Sequence, residues 1–291
     1  MGDNLQIGLA FLEKKDYKKA ITFLTNYIKN NSEDSEAYEN RAIAYYHLKE
    51  EEASFNDLNK AIELDPTNEN ALFNRGLRYV EKKEFDQAIV DYLAIYANDH
   101  TNLGVVEQLA YIGLLKKEDT FAMHYLLELL KIEPYNRWGL LNISYIFQRA
   151  EQYAEATNYL YKIYKTEPAN ADISNSMGYF LMKLGKFRES EFYYKNAIYN
   201  DPICAYAINN LGHLEYLRKN YDNAEKLIKQ SIILDPSNSY SFKNRALLHL
   251  ARGNKELAHD DLMHAQLLGF KEDWGEEVNE LLKKHFPKID K

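Results

Sequence analysis

Pro66, Pro134, Pro168, Pro202 and Pro236 stand at multiples of 34 residues from one another, and His100 fills the single gap in the series. A fixed interval of that size marks a stacked array of one supersecondary unit, since a unit this short cannot bury its own apolar face and must lean on its neighbours. Counting blocks of 34 from Met1 puts these prolines at position 32. Position 8 then reads Gly8, Ala42, Gly76, Ala110, Ser144, Gly178, Gly212 and Ala246, and position 20 reads Ala20, Ser54, Ala88, Ala122, Ala156, Ser190, Ala224 and Ala258. All are small. Position 24, on the same helical face as position 20, carries Leu24, Leu58, Tyr92, Leu126, Leu160, Tyr194, Ile228 and Leu262, all bulky.

The small, small, large and proline columns predict a helical hairpin in each block. Helix A covers roughly positions 2 to 14 and helix B roughly 17 to 30, and their crossing is too close for a side chain larger than alanine at 8 or 20. Proline at 32 ends helix B and biases the residue before it away from helix. On these columns the chain resembles the tetratricopeptide repeat (TPR) family. Two features depart from that pattern: no block has tryptophan at position 4, and Arg41, Arg75 and Arg245 replace the usual leucine at position 7. The resemblance implies an all-α fold, a right-handed superhelical solenoid of antiparallel helix pairs. Eight units are expected, 1–34, 35–68, 69–102, 103–136, 137–170, 171–204, 205–238 and 239–272, followed by a capping helix and tail at 273–291. Val278, Leu281, Leu282 and Phe286 supply the apolar side of that cap after Trp274 and Gly275. The third inter-repeat turn, with His100, Gly104 and Gly113, reads as a flexible joint.

Position 6 is turned about 200° from position 8 on helix A, so it points away from helix B. It reads Gln6, Asn40, Asn74, Gln108, Asn142, Ser176, Asn210 and Asn244. A carboxamide both donates and accepts, so a row of them matches the alternating N–H and C=O of an extended peptide. The row is similar to the asparagine ladder in the TPR superhelix of O-linked N-acetylglucosamine transferases, whose catalytic domain has no counterpart here. Asn40, Asn74, Asn142, Asn210 and Asn244 are the positions this likeness implies, with Asn175 and Asn209 beside them at position 5. Rings gather at position 9 in repeats four to seven, Tyr111, Tyr145, Tyr179 and His213, with Trp138, Tyr206 and Tyr240 at position 2 nearby. Such rings anchor ligand side chains at interfaces, although each of them is also an ordinary choice for filling space between helices.

No Gly-rich phosphate loop, HExxH or GxSxG is present, so the chain reads as a non-enzyme with no cofactor. Asp260, Asp261 and His264 are too few for a closed metal site, and no metal is expected. The expected partner is a protein or peptide, presented as an extended segment with apolar or aromatic side chains. A basic ligand residue fits near repeat two, where Glu36 and Glu39 stand at groove positions within a stretch, 33–69, of eleven acids and three bases. The lysines and arginine of the carboxylate clamp are missing from any three consecutive repeats, so the carboxyl termini of Hsp70 and Hsp90 are not expected as ligands. A formal charge of −8 argues against nucleic acid. No run is long enough to cross a membrane, no secretory leader precedes Leu5 and Ile7, and Cys204 is the lone cysteine, which together point to the cytoplasm. Three roles fit: a scaffold that binds a peptide in its groove, a module that self-associates or tethers through its ends or convex face, or an accessory subunit of an enzyme.

Overall fold

A computed structural model describes residues 3–270 and 276–287. Trp274 and Gly275 lie outside the described residues. Every described secondary element is a helix. The chain divides into two compact units, Met1–Gly139 and Leu140–Lys291. In the first unit the hairpins are α1 (Asp3–Glu13) with α2 (Tyr17–Ile28), α3 (Ser35–His47) with α4 (Glu51–Leu64), α5 (Glu69–Glu81) with α6 (Phe85–Asn98), and α7 (Leu103–Leu115) with α8 (Asp119–Ile132). In the second they are α9 (Arg137–Arg149) with α10 (Tyr153–Thr166), α11 (Ala171–Lys183) with α12 (Phe187–Asn200), α13 (Ala205–Leu217) with α14 (Tyr221–Leu234), and α15 (Ser239–Ala251) with α16 (Lys255–Leu267). A terminal helix, α17 (Glu277–His285), follows.

The crossing inside each hairpin follows the small columns. All eight residues at position 20 and all eight at position 24 are buried. Where position 24 is tyrosine, position 8 is glycine: a Cβ on Gly76 would lie 2.7 Å from the Tyr92 ring, and one on Gly178 would lie 2.6 Å from the Tyr194 ring. Serine at position 20 is satisfied by the same closeness, since Ser54 Oγ donates to the Ala42 carbonyl at 2.8 Å and Ser190 Oγ to the Gly178 carbonyl at 2.7 Å.

Each helix A stops the same way. Lys15, Lys49, Lys83, Lys117, Glu151 and Lys219 have positive φ, as do Gly185 and Gly253, and all eight stand at position 15. The next residue's N–H returns to the carbonyl five back, for example Asp16 to Phe11 at 2.8 Å and Asn254 to His249 at 2.9 Å, which caps the helix with a left-handed residue. Several first helices start on a side-chain cap at position 34, where Asn68 accepts from Ala71 N–H and Asn170 from Ile173 N–H, whereas Cys204 at the start of α13 makes no such bond.

The third turn, expected as a flexible joint, is bonded in the same way as the second. Thr101 binds Asp99 through both its N–H and its hydroxyl, as Thr67 binds Asp65, and α7 runs unbroken past Gly104 and Gly113. Gly113 is a packing glycine, because a Cβ there would meet the Ala122 backbone nitrogen at 2.7 Å.

The three position-7 arginines also have a partner that explains them. Arg41 grips Asp57 with two bonds of 2.7 Å, Arg75 grips Asp91 at 2.9 and 2.6 Å, and Arg245 grips Asp261 at 2.8 and 2.6 Å. The aspartates are buried, so each fork places an ion pair at positions 7 and 23, which are apolar or aromatic in the other hairpins. Asp91→Ala should strand the Arg75 guanidinium and cost about 3 kcal/mol. Arg75→Leu with Asp91→Tyr, the pairing seen at Leu109 and Tyr125, should recover most of that loss in a denaturant melt.

Candidate functional site

In the second unit the first helices α9, α11, α13 and α15, together with Glu277 at the start of α17, enclose a cavity of about 290 Å³. Its tyrosines are Tyr145, Tyr179, Tyr206 and Tyr240, its amides Gln148, Asn175, Asn210 and Asn244, and its charged groups Lys183, Lys243 and Glu277. Tyr145 and Tyr206 each keep 49 % of their surface exposed, which puts them at the rim. Tyr179 is deeper. Burial and the neighbouring Tyr153 push its phenol pKa up, which keeps it a neutral donor.

Eight of the residues singled out in the sequence are thus brought together: Asn175, Asn210, Asn244, Tyr145, Tyr179, Tyr206, His213 and Tyr240. Asn142 belongs to the same unit, half-buried, outside the lining. Asn40, Asn74, Tyr111 and Trp138 belong to the first unit. There Asn40 Nδ2 turns back to the Glu36 carbonyl at 2.8 Å, and Asn74 lines a separate cavity of about 170 Å³ with Tyr46, His47 and Arg78.

The amides of the second unit do not all face open space. Asn210 Nδ2 donates to Asn175 Oδ1 at 3.0 Å, and Asn244 Nδ2 to Asn209 Oδ1 at 3.1 Å, while Asn209 and Asn244 are 0 % and 3 % exposed. Successive first helices lie side by side, so position 6 of one repeat meets position 5 of the repeat before it. The amides therefore form inter-repeat rungs. Asn209 Nδ2 and Asn244 Oδ1 are left without a hydrogen-bond partner among the described residues, one donor and one acceptor at the two ends of the same buried rung.

Two residues of the site carry little weight in a position-by-position reading. Lys243, on α15, is 6 % exposed. Burial lowers its pKa and Glu277 opposes that shift. His213, on α13, stacks on Tyr216 at 5.8 Å, and its buried Nδ1 has no partner among the described residues. Burial, with help from Lys243 and Lys183, pushes the imidazole down to about 3, so it is neutral at pH 7. Their signal was present in the sequence: Lys243 follows Asn175 and Asn209 in the position-5 column, and His213 ends the ring column at position 9.

The acidic groove expected at repeat two is altered by burial. Glu36 is exposed, whereas Glu39 is 4 % exposed, and burial, with the Glu36 charge, raises its carboxyl to about 7. Asp261, one of the three residues weighed for metal, is held by Arg245.

Residues 5–69 and 177–239 match the tetratricopeptide repeat family. The hairpins outside the matched stretches keep the same 34-residue register and the same buried small and large columns. No curated protein sequence matches it. Among solved structures, a tetratricopeptide repeat protein from Parabacteroides merdae is similar at 18 % identity and TM-score 0.61, over 87 % of this chain and 98 % of that one. The C-terminal part of a TPR repeat-containing protein from Cytophaga hutchinsonii is similar at 15 % identity and TM-score 0.67, over 82 % and 98 %. The APC/C hetero-tetramer Cut9-Hcn1 is similar at 15 % identity and TM-score 0.54, over 93 % of this chain and 52 % of that one. At these identities the likeness is one of fold. Among the described residues no helix is long and apolar enough to cross a membrane.

The two perturbed groups give pH dependences of opposite sign. Glu39 has a folded pKa above its unfolded value of 4.5, so the folded state holds a proton that the unfolded state has released, and stability falls as pH rises from about 4.5 through 7. Glu39→Gln should raise the melting temperature at pH 8, with a gain that shrinks towards pH 5. His213 has a folded pKa below its unfolded 6.5, so stability falls as pH drops from 6.5 towards 3. His213→Gln should flatten that acid limb, as read by thermal melts across pH.

Proposed function

We propose that the second unit is a peptide-binding scaffold, holding an extended segment of a partner protein along α9, α11, α13 and α15. Tetratricopeptide-repeat proteins are in general non-enzymatic scaffolds that bind other proteins. The observation that carries the finer reading is the coincidence, in one cavity, of half-exposed tyrosines with amides from consecutive repeats. The half-buried Asn175–Asn210 rung uses one Nδ2 and leaves further hydrogen-bonding capacity on the pair. Peptide backbone can take up that capacity without regard to sequence, and the tyrosines then select the side chains beside it.

Association through the outer surface is a second reading. Tyr199, Ile233 and Leu267 are 85 %, 79 % and 81 % exposed, and all stand at position 29, on α12, α14 and α16. Light scattering separates the two: the groove reading expects binding to survive Ile233→Lys with Leu267→Lys, whereas surface association expects a homo-oligomer that this pair of changes dissolves.

The groove reading is tested by selecting binders from a pool of random extended peptides and titrating the best of them against variants. Asn210→Ala and Tyr206→Ala should each weaken binding by roughly 0.5–1.5 kcal/mol, about two- to tenfold, with the melting temperature little changed for the exposed Tyr206. Unchanged affinity in both variants would refute the assignment.

A further inference from the structure

The cavity has an unbalanced charge. Its ionised lining groups are two ammoniums, Lys183 and Lys243, and one carboxylate, Glu277, with His213 neutral between them, in a chain whose formal charge is −8. Lys243 is buried, and its Nζ lies 3.3 Å from both Glu277 oxygens. Charge-assisted N–H···O bonds usually measure about 2.7–2.9 Å, and other lysines of this protein reach such lengths, Lys116 to Asp86 at 2.7 Å and Lys195 to Glu191 at 2.6 Å. The buried ammonium is therefore held loosely, and by a side chain that is itself 53 % exposed.

The register explains why this contact differs from its neighbours. Asn175 and Asn209, at position 5, are each met by an amide from the following repeat, 35 residues on. Lys243 holds position 5 in the eighth repeat, where the series of hairpins ends. Glu277, 34 residues on, stands in for the missing rung. It does so without being needed to seat α17, which docks through Val278, Leu281, Leu282 and Phe286 onto the core that contains Phe242, Leu262 and Phe270.

We infer that the cavity is built for an acidic segment of a partner protein, whose carboxylate takes Lys243 from Glu277 and is flanked by Lys183, and that Glu277 is an internal competitor for that subsite. This rests on the groove reading above and adds the ligand's chemistry to it. An incoming carboxylate satisfies an ammonium that has three donors and removes the local excess of positive charge. Side chains next to it in the segment meet Tyr179 and Tyr206. Glu277, released, stays hydrated at the edge of α17.

The test uses the full chain and four pools of fluorescein-labelled extended peptides, with the central residue fixed as Glu, Gln, Lys or Ala and the flanks randomised. Anisotropy titrations should show the Glu pool bound best. Glu277→Gln should tighten the Glu pool by about tenfold, equal to one charge-assisted bond of about 1.4 kcal/mol, and leave the Gln and Ala pools nearly unmoved. Lys243→Met, which keeps the volume of the side chain, should erase the preference for Glu, with thermal melts confirming that both variants are folded. Equal binding of all pools, equal tightening of all pools by Glu277→Gln, or a preference for Glu that survives Lys243→Met would overturn the inference while leaving the groove reading in place. No binding of any pool by any variant would remove the groove reading as well.

Discussion

The structure depends on how closely the two helices of each hairpin approach. Glycine, alanine or serine at positions 8 and 20 let backbone meet side chain at van der Waals distance, and the large residue at position 24 fills the remaining space. Everything else takes its place from that crossing. Protein interiors tolerate little change of volume, which is why tyrosine at 24 coincides with glycine at 8 in Gly76–Tyr92 and Gly178–Tyr194. Because position 8 faces the partner helix, positions 5, 6 and 9 are turned towards the next repeat or outward. The cavity of the second unit is a consequence of that turn.

The crossing also sets where charge can be buried. Positions 7 and 23 flank it, and in most hairpins they are apolar or aromatic. In three they are a bidentate arginine and aspartate, whose planar geometry keeps both ions satisfied with little access to water. Lys243 and Glu277 are arranged differently, with one long contact and a half-exposed carboxylate. This contrast within a single chain is what the proposed carboxylate subsite rests on.

Much of the fold was legible in the sequence because the repeat converts weak local signals into columns. The hairpins, their small and large positions and the terminal helix could all be placed by spacing. The arginine forks were legible too, yet were missed: the three repeats with arginine at position 7 are the three with aspartate at position 23, a correlation between columns that reading one column at a time does not expose. Gly113 was misread as a joint because glycine's freedom and glycine's smallness look alike in a sequence, and only the approach of Ala122 decides between them. The amide ladder was found by helical rotation, but rotation about one helix says nothing of the neighbouring helix. Asn209 and Asn244 are consequently buried against each other rather than open, and the position-5 column by itself does not bring Lys243 and Glu277 together.

The central claim is that ligand contact runs along the first helices of the second unit and not over the outer surface of its second helices. Site-specific photo-crosslinking addresses this directly, with benzoylphenylalanine placed at Tyr206, on the cavity rim, or at Tyr199, on the exposed side of α12. Illumination in the presence of a selected peptide should join it to the chain from Tyr206 and leave the Tyr199 variant unlabelled. Labelling from Tyr199 alone would contradict the account.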